Sequence, residues 1–424
     1  MAGMDELLAL YDESGRPCGS APRSQVRAGN LHHAATGVVV RDSMGRVYVH
    51  RRTETKDVFP GLHDFAAGGC VLAGEDPQEA ALRELAEELG ATDVELEPIR
   101  VAEYADAHTR YLGFCYVATY DGPVRWQPEE VACGAWVSLE RLAEMLDSPD
   151  FAFVPDSRGL LEGWVRERLA DRVRVPQGWD SHTEIVEGRW VDRVPRRPET
   201  EAQLLRETEL MPVIAADLPL AVPVPVVMDP APLRVRHVMV AGDRVVPDRL
   251  TPADGRTVGA FLRALHDMPA ERYAGLVPPP AVSLAAVRDD LARMMREVLP
   301  LLPRSAVDDA RRLLADAARE TPTTLVHGDL GPEHLLARDG CVCGVIDWGD
   351  ARDFDPAIDL AWTLHGTPPR FAEALSTAYG VTQELRERAM VWRRLGPWHE
   401  VLWGLGDGGS DYVESGLAGV LDRL

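Results

Sequence analysis

GCVLAGEDPQEAALRELAEELGA, residues Gly69–Ala91, decides how the N-terminal part of the chain folds. From Gly69, Glu75 follows five intervening residues and the pair Arg83-Glu84 seven more, before Leu85, Glu87-Glu88 and Gly90. Between Glu79 and Leu89 apolar residues recur at helical spacing, with charge on the opposite face. On such a helix Glu84 and Glu88 are i and i+4 neighbours, and Glu87 lies i+3 from Glu84. Carboxylates crowded in this way cost stability unless a cation neutralises them. Hard oxygen donors suit Mg²⁺ or Mn²⁺, which commonly complete their shells with waters and substrate phosphate oxygens. Glycines before the helix allow a sharp turn and a close backbone approach. Gly90 stands where a helix end takes a left-handed residue.

Outward from this helix, Thr36–Arg41 (TGVVVR) and Arg46–His50 (RVYVH) read as two strands of a hairpin turned at Asp42–Gly45. Tyr111–Thr119 is a further strand and Ala135–Val137 a short one, with Ser138 as the cap of a helix over Leu139–Leu146. A helical stretch over Arg158–Leu169 follows, and a domain boundary is expected near residue 170. The general base that activates water is sought outside the acidic helix: Glu130, just before the Trp136 strand, is the candidate, with Glu129 and Glu103 as alternatives.

The spacing from Gly69 to Gly90 resembles the Nudix box, departing from it only where Ala91 replaces a larger aliphatic residue. The resemblance extends over residues 8–169. It implies an α/β/α sandwich that hydrolyses a nucleoside diphosphate linked to another moiety. It also implies that Glu84, Glu87 and Glu88 hold the metal, that Arg83 orients the carboxylates and that Glu75 supports the loop. With His33 and the Arg51-Arg52 pair, the segment looks like the branch related to isopentenyl diphosphate isomerase. The isomerase's cysteine motif is not found, because Cys70 lies inside the glycine loop, so isomerase activity is not expected. His32 and His33 read as core or surface histidines rather than catalysts.

A second constellation lies in Leu325–Leu336 (LVHGDLGPEHLL) and Val345–Trp362 (VIDWGDARDFDPAIDLAW). Phosphoryl transfer needs a carboxylate near the attacking hydroxyl, metal between the phosphates and positive charge on the transferred group. Asp329 and His334 are five apart, and Asp347 is expected on a strand after a turn at Asp339-Gly340. Protein kinases separate their catalytic aspartate and metal-binding asparagine by the same interval. Before this, strands are expected at Thr183–Val186 and Trp190–Val194, then a helix from about Glu199 to Ala215 and a stiff proline-spaced segment, Leu218–Val227. After Pro252 the chain reads as mostly helical.

The pattern resembles the aminoglycoside and macrolide phosphotransferase family, over roughly residues 172–424. The resemblance implies a kinase-like fold acting on small molecules. In it Asp329 accepts or orients the proton of the acceptor hydroxyl, Asp347 binds Mg²⁺, and Asp359 braces the catalytic loop. His334 stands where most members have asparagine, as a softer candidate metal ligand. Gly178–Arg197 (GWDSHTEIVEGRWVDRVPRR) is similar to the family's first strands; it places Arg193 at the α- and β-phosphates, paired with Glu207 on the following helix. No GxGxxG loop is present, so ATP and GTP both remain open as phosphate donors.

Composition sets the frame. The chain has 424 residues, enough for two or three domains, and a net charge of −23, which disfavours nucleic acid or an anionic membrane surface as partner. Metal held by carboxylates still allows phosphate substrates, and an acidic surface attracts cationic small molecules. Lys56 is the only lysine. The six cysteines are scattered, with Cys341 and Cys343 alone close together, and are expected to be reduced. No run of eighteen apolar residues occurs, and the acidic stretch Met1–Gly15 lacks the features of a signal peptide, so a cytoplasmic protein is expected.

The expectation is therefore a two-domain α/β and α+β protein: a Nudix α/β/α sandwich over residues 1–170, then a bilobal protein-kinase-like fold over 171–424 with a small strand-rich lobe and a large helical lobe. The first cleaves a diphosphate bond of a nucleoside-diphosphate-type substrate. The second moves the γ-phosphate of ATP or GTP to a hydroxyl of a small molecule, with antibiotic resistance as one outcome. The alternatives are a kinase for a sugar, amino alcohol or amino acid with a housekeeping Nudix domain, or a nucleotide-sensing regulator with one inactive domain.

Overall fold

The structure is a computed structural model and describes residues 5–12, 14–56, 58–176, 180–319 and 323–424. Gly178 and Trp179, at the head of the stretch read above as the first kinase-like strands, lie outside the described residues, as do Met1–Met4 and Glu13 of the acidic N-terminal stretch. Contacts divide the chain into two compact units, one comprising residues 1–177, 183–192 and 228–236, the other 178–182, 193–227 and 237–424.

The chain opens with β1 (Leu7–Tyr11), β2 (Pro17–Pro22), α1 (Arg23–Gly29), β3 (His33–Arg41), β4 (Val47–Arg52) and β5 (His63–Asp64). Then come α2 (Pro77–Leu89), β6 (Leu96–Ala105), β7 (Arg110–Thr119), β8 (Val131–Val137), α3 (Leu139–Asp147) and α4 (Pro155–Ala170). These eight strands form one mixed sheet. β3 runs parallel to β7 from His33↔Tyr111 to Arg41↔Thr119, whereas β4 pairs antiparallel with β8. The β3–β4 turn forms as expected: Asp42 Oδ1 accepts the amides of Met44 and Arg46, and Gly45 takes φ 81°.

Period-2 alternation in β3 produces the sandwich. Val38 and Val40 pack with Ala81, Leu85 and Leu89 of α2, while Val39 packs with Leu139 and Leu142 of α3 and Trp164 of α4. One side of the sheet thus carries the acidic helix and the other carries α3 and α4. The start signal read at Ser138 operates, capping α3 through Arg141 N, and Asp76 caps α2 through Gln78 N. Strands β1, β2 and β6 and helix α1 carry weaker patterns and were not expected.

The next elements are β9 (Arg172–Val175), β10 (Ser181–Val186), β11 (Trp190–Pro195), α5 (Pro198–Ile214), β12 (Val226–Pro230) and β13 (Leu233–Val238). They give a five-stranded sheet in the order β12-β13-β11-β10-β9. The remainder comprises β14 (Asp243–Arg244), α6 (Pro252–His266), α7 (Ala270–Tyr273), α8 (Pro280–Arg293), α9 (Val307–Ala317), β15 (Thr324–Val326), β16 (Leu335–Arg338), β17 (Cys341–Val345) and β18 (Arg352–Phe354). Four helices end the chain: α10 (Ala357–His365), α11 (Pro369–Tyr379), α12 (Gln383–Trp403) and α13 (Ser410–Arg423). A core of residues such as Phe261, Leu265, Leu325, Trp348, Leu360 and Phe371 joins α6, β15, α10 and α11. No helix among the described residues is long and apolar enough to cross a membrane. All six cysteines are free thiols.

Within the first unit, Asp192 is the hub of a buried ion network. It takes Arg236 in a two-pronged contact (2.6 and 2.8 Å) and lies 3.2 Å from both Arg172 and Arg234. Arg172 and Arg234 also reach Glu140 of α3, and Asp229 accepts the Ser138 hydroxyl at 2.8 Å. The side chains of Asp192 and Arg236 are 1% and 0% exposed. Breaking such a pair strands buried charge, so Asp192→Asn is expected to lower stability by about 3 kcal/mol. The midpoint of the urea transition followed by tryptophan fluorescence checks this.

Candidate active sites

In the first unit the site is built by α2 and the glycine loop before it. The buried face of α2 carries Glu84 and Glu88 in line with Ala81, Leu85 and Leu89, while Glu87 points outward with its side chain 54% exposed. Two glycines bring the loop close to β3 and to Glu84. A Cβ on Gly68 would lie 2.0 Å from the Thr36 carbonyl oxygen, and one on Gly69 would lie 2.4 Å from the Glu84 carboxyl. Gly68 N then donates to Glu88 Oε2 at 3.1 Å.

Arg83 ties the loop to the helix. Its Nε and Nη2 grip Glu75 at 2.8 and 3.0 Å, its Nη1 reaches Glu84 Oε1 at 2.7 Å and Glu87 at 3.4 Å, and Nη2 also donates to the Cys70 carbonyl at 3.3 Å. Glu75 in turn accepts the Leu72 amide at 2.9 Å. Burial pushes the Glu84 carboxyl up, against the pull of Arg83.

Glu130, just before β8, comes up against Glu88. Lys56 Nζ lies 2.7 Å from Glu130 and 3.6 Å from Glu88. Burial, then the neighbouring Glu130, push Glu88 well above the usual carboxylate range. Glu130, although partly buried, is held below it by a hydrogen bond from Glu88 and by Lys56. Of the alternatives, Glu103 faces His32 at 3.9 Å and Glu129 is exposed. His33 is buried with Nδ1 on the Leu31 carbonyl at 3.0 Å, and burial pushes the Cys70 thiol up, away from reactivity.

In the second unit, Asp329 follows β15 through His327 and Gly328. Buried Asp359 of α10 accepts the amides of His327 and Gly328, both at 2.8 Å, and takes His266 Nε2 at 3.1 Å. His327 bonds the Ile346 carbonyl at 3.0 Å, which ties the Asp329 turn to the segment of Asp347. Asp347 lies two residues past β17 rather than on a strand, with φ 68°. The left-handed turn ends the ladder there and is of the strained kind that clusters at functional sites.

Three further side chains complete this cluster. His334 Nδ1 sits 2.6 Å from the Asp329 carbonyl oxygen, so it carries the proton, and Nε2 is turned to Asp347 Oδ2 at 3.6 Å. Arg193 of β11 bonds both oxygens of Glu207 of α5 at 2.8 and 2.9 Å and lies 3.6 Å from Asp347 Oδ1. Asp329 and Asp347 remain open, with side chains 61% and 52% exposed. Partial desolvation and the charges of Asp350 and Glu333 still hold Asp329 above its ordinary value, against His334 and His327.

Among the described residues, no three His, Cys, Asp or Glu side chains converge as a ready-made metal cage. The donor chemistry nevertheless fits a cation at both places. Glu88 and Glu130 share a single lysine, and His334 Nε2 faces Asp347, its other nitrogen fixed on a carbonyl as in metal-binding histidines.

Comparison with known proteins gives the two constellations their families. Residues 171–392 match the family model of the phosphotransferase enzyme family, and residues 31–157 match that of the NUDIX domain. The chain belongs to the phosphotransferase enzyme family, with a Nudix domain ahead of it. The Nudix domain is 47% identical over 167 residues to the Nudix hydrolase orf19 of Rhodococcus erythropolis, covering 37% of this chain and 90% of that protein. It is 37% identical over 161 residues to YfcD of Escherichia coli strain K12, covering 38% and 87%.

For the phosphotransferase domain, the GDP and kanamycin complex of APH(2")-IIia superposes with a TM-score of 0.55 at 20% identity, over 62% of this chain and 98% of that one. A macrolide 2'-phosphotransferase type I does so with a TM-score of 0.50 at 25% identity, over 59% and 90%. Both domains belong to enzyme families that handle phosphate, and these families generally use divalent metal.

Sequence reading left three residues of these sites without a place. Lys56 was marked only by its being the single lysine. His327 lies inside the quoted motif but was assigned no part, and His266, at the end of α6, carries no local signal at all.

Two outcomes follow from this geometry. Millimolar Mn²⁺ or Mg²⁺ is expected to raise the melting temperature of the Nudix domain, and Glu88→Gln to abolish that gain in a thermal-shift assay. Asp359 is buried, yet its bonds from His266 and the two amides hold its carboxyl below the ordinary value. A depressed carboxyl contributes stability above its unfolded pKa of about 3.9, and this is lost as pH falls through the folded value. Asp359→Asn should therefore destabilise the phosphotransferase domain by about 3 kcal/mol at pH 7 and flatten its acid limb below about pH 4, read by urea melts across pH.

Proposed function

We propose that the chain is a bifunctional, Mg²⁺-dependent enzyme of the cytoplasm, divided in function at residues 170–171. Its C-terminal part transfers the γ-phosphate of ATP or GTP to a hydroxyl of a small molecule. Its N-terminal part hydrolyses a diphosphate bond. The observation that carries the first activity is the chain of contacts that links Asp329 to His334, His334 to Asp347, Asp347 to Arg193 and Arg193 to Glu207.

In this reading Asp329 takes the proton of the acceptor hydroxyl and aims its oxygen at the γ-phosphorus, helped by an environment that keeps its carboxyl basic. Arg193, set by Glu207, meets the α- and β-phosphates. Asp347 and His334 would hold the divalent ion, which screens the phosphate charge when bound. The acceptor we favour is cationic or glycosylated. Its support is the net charge of −23 and the likeness to a phosphotransferase solved with GDP and kanamycin, which makes antibiotic modification the first biological role to test.

In the Nudix domain, Glu84, Glu87 and Glu88 would hold divalent metal, with Arg83 fixing Glu84 and the loop. Glu130, kept ionised beside Lys56, takes the proton of the attacking water.

The experiment is a mass-spectrometric screen for a phosphate-sized mass gain on aminoglycosides, macrolides and common hydroxy metabolites with Mg²⁺ and ATP or GTP. Asp329→Asn should lower transfer by at least about 10³-fold while diphosphate hydrolysis persists, and Glu88→Gln should do the reverse. Loss of both activities in either folded variant would contradict this division of labour.

A further inference from the structure

The hairpin of β10 and β11 belongs to the stretch matched to the phosphotransferase family, yet its residues 183–192 pack in the first unit, with the Nudix fold. The hairpin tip is a tight turn in which Glu187 and Gly188 both take positive φ, 51° and 61°. Glu187 lacks a glycine's freedom to adopt that backbone. Its carboxylate is gripped by both terminal nitrogens of Arg41, the last residue of β3, at 2.6 and 3.0 Å. The two side chains are only 9% and 11% exposed, so this is no loose surface pair.

The β3–β4 turn of the Nudix fold holds the next residues of the same hairpin. Trp190 Nε1 donates to the Ser43 carbonyl and Arg236 Nη1 to the Met44 carbonyl, both at 3.0 Å. A Cβ on Gly45 would lie 3.1 Å from both Trp190 and Arg236, so the approach is about as close as a glycine permits. The Trp190 ring is flanked by the guanidiniums of Arg41 and Arg236, 5.1 and 5.3 Å from its centre. Two residues on, Asp192 lies on the same face of β11 and takes Nε and Nη2 of that Arg236. Through Arg172 and Arg234 its network continues to Glu140 of α3, a second element of the Nudix fold.

Arg193 is the next residue of β11 after Asp192, so its side chain takes the opposite face, where it bonds Glu207. What holds Trp190 and Asp192 in place therefore also sets where β11 delivers the Arg193 guanidinium, and a misplacement of about 1 Å at such a group is costly. We propose that the Nudix fold is the support that positions Arg193 for the nucleotide phosphates, with Trp190 and Glu187 as the positioning residues through which it acts. This gives the Nudix domain a part in phosphate transfer that is separate from its own hydrolysis. The proposal rests on the reading of Arg193 as the arginine that meets the α- and β-phosphates.

The test is calorimetric titration of the full chain with ADP and Mg²⁺, at a temperature where circular dichroism shows each variant folded. The wild type should bind ADP, and Arg193→Gln should weaken that binding by about tenfold or more. Trp190→Phe, which keeps a ring but loses the donor to Ser43, and Glu187→Gln should each weaken it by about fivefold. In the Arg193→Gln background the same two changes should alter Kd by less than about twofold, because they act through the arginine. Unchanged ADP binding in both folded single variants would overturn the proposal. So would a loss of the same size with and without Arg193, the mark of a sheet loosened as a whole. ADP binding that Arg193→Gln leaves unchanged would instead overturn the reading of Arg193 beneath the proposal, and the proposal with it.

Discussion

An acidic chain with one lysine must find a cation for most of the carboxylates it buries, and much of this structure can be read from those assignments. Unpaired buried charge is among the costliest things a fold can contain. Here Arg236 answers Asp192, His266 answers Asp359, Arg193 answers Glu207 and Arg83 answers Glu75 and Glu84. The first two pairings join segments distant in sequence, so there neutralising charge and fixing topology are the same event. Asp64 and Asp254 are buried on hydrogen bonds alone, and the acids of the two candidate sites are compensated in another way. Glu88 and Glu130 share Lys56, and Asp347 has Arg193 only at 3.6 Å, while that arginine is committed to Glu207. These under-compensated acids lie at the two sites where a divalent ion and phosphate are proposed to bind.

The glycines act on the same logic. Without side chains at Gly68 and Gly69, the loop can close onto Glu84 and Glu88 and give the latter a backbone donor. In the phosphotransferase domain the corresponding rigidity comes from Asp359, which bonds two successive amides next to Asp329. In the first site the acids thus stand on a helix against a short glycine loop, and in the second Asp329 stands on a short turn fixed by another acid. Such support keeps geometry constant when substrate charge arrives.

Much of this was legible in the sequence because it is local. The acids of α2, Gly90 and the interval between Asp329 and His334 are all set by spacing, and the hairpin strands at TGVVVR and RVYVH are set by apolar runs between turn signals. The Arg193–Glu207 pair was also anticipated, through resemblance. What escaped was non-local or low in contrast. Strand β6, LEPIRVAEYA, has little apolar alternation because its residues are mostly exposed or half-buried. Asp347 was placed on a strand, since an apolar run leads into it, but its positive φ ends the ladder first. Lys56 and His266 join the candidate sites only through partners about thirty to ninety residues away, and no single-sequence pattern marks such pairs. The way residues 183–192 and 228–236 contribute to the first unit was equally invisible.

The account stands on the claim that the under-compensated acids are cation sites. Electron paramagnetic resonance titration of the full chain with Mn²⁺ in the presence of ADP tests it most directly. The account predicts two independent classes of bound ion, one lost in Glu88→Gln and the other in Asp347→Asn. A single class, or two classes that both survive these substitutions, would contradict it.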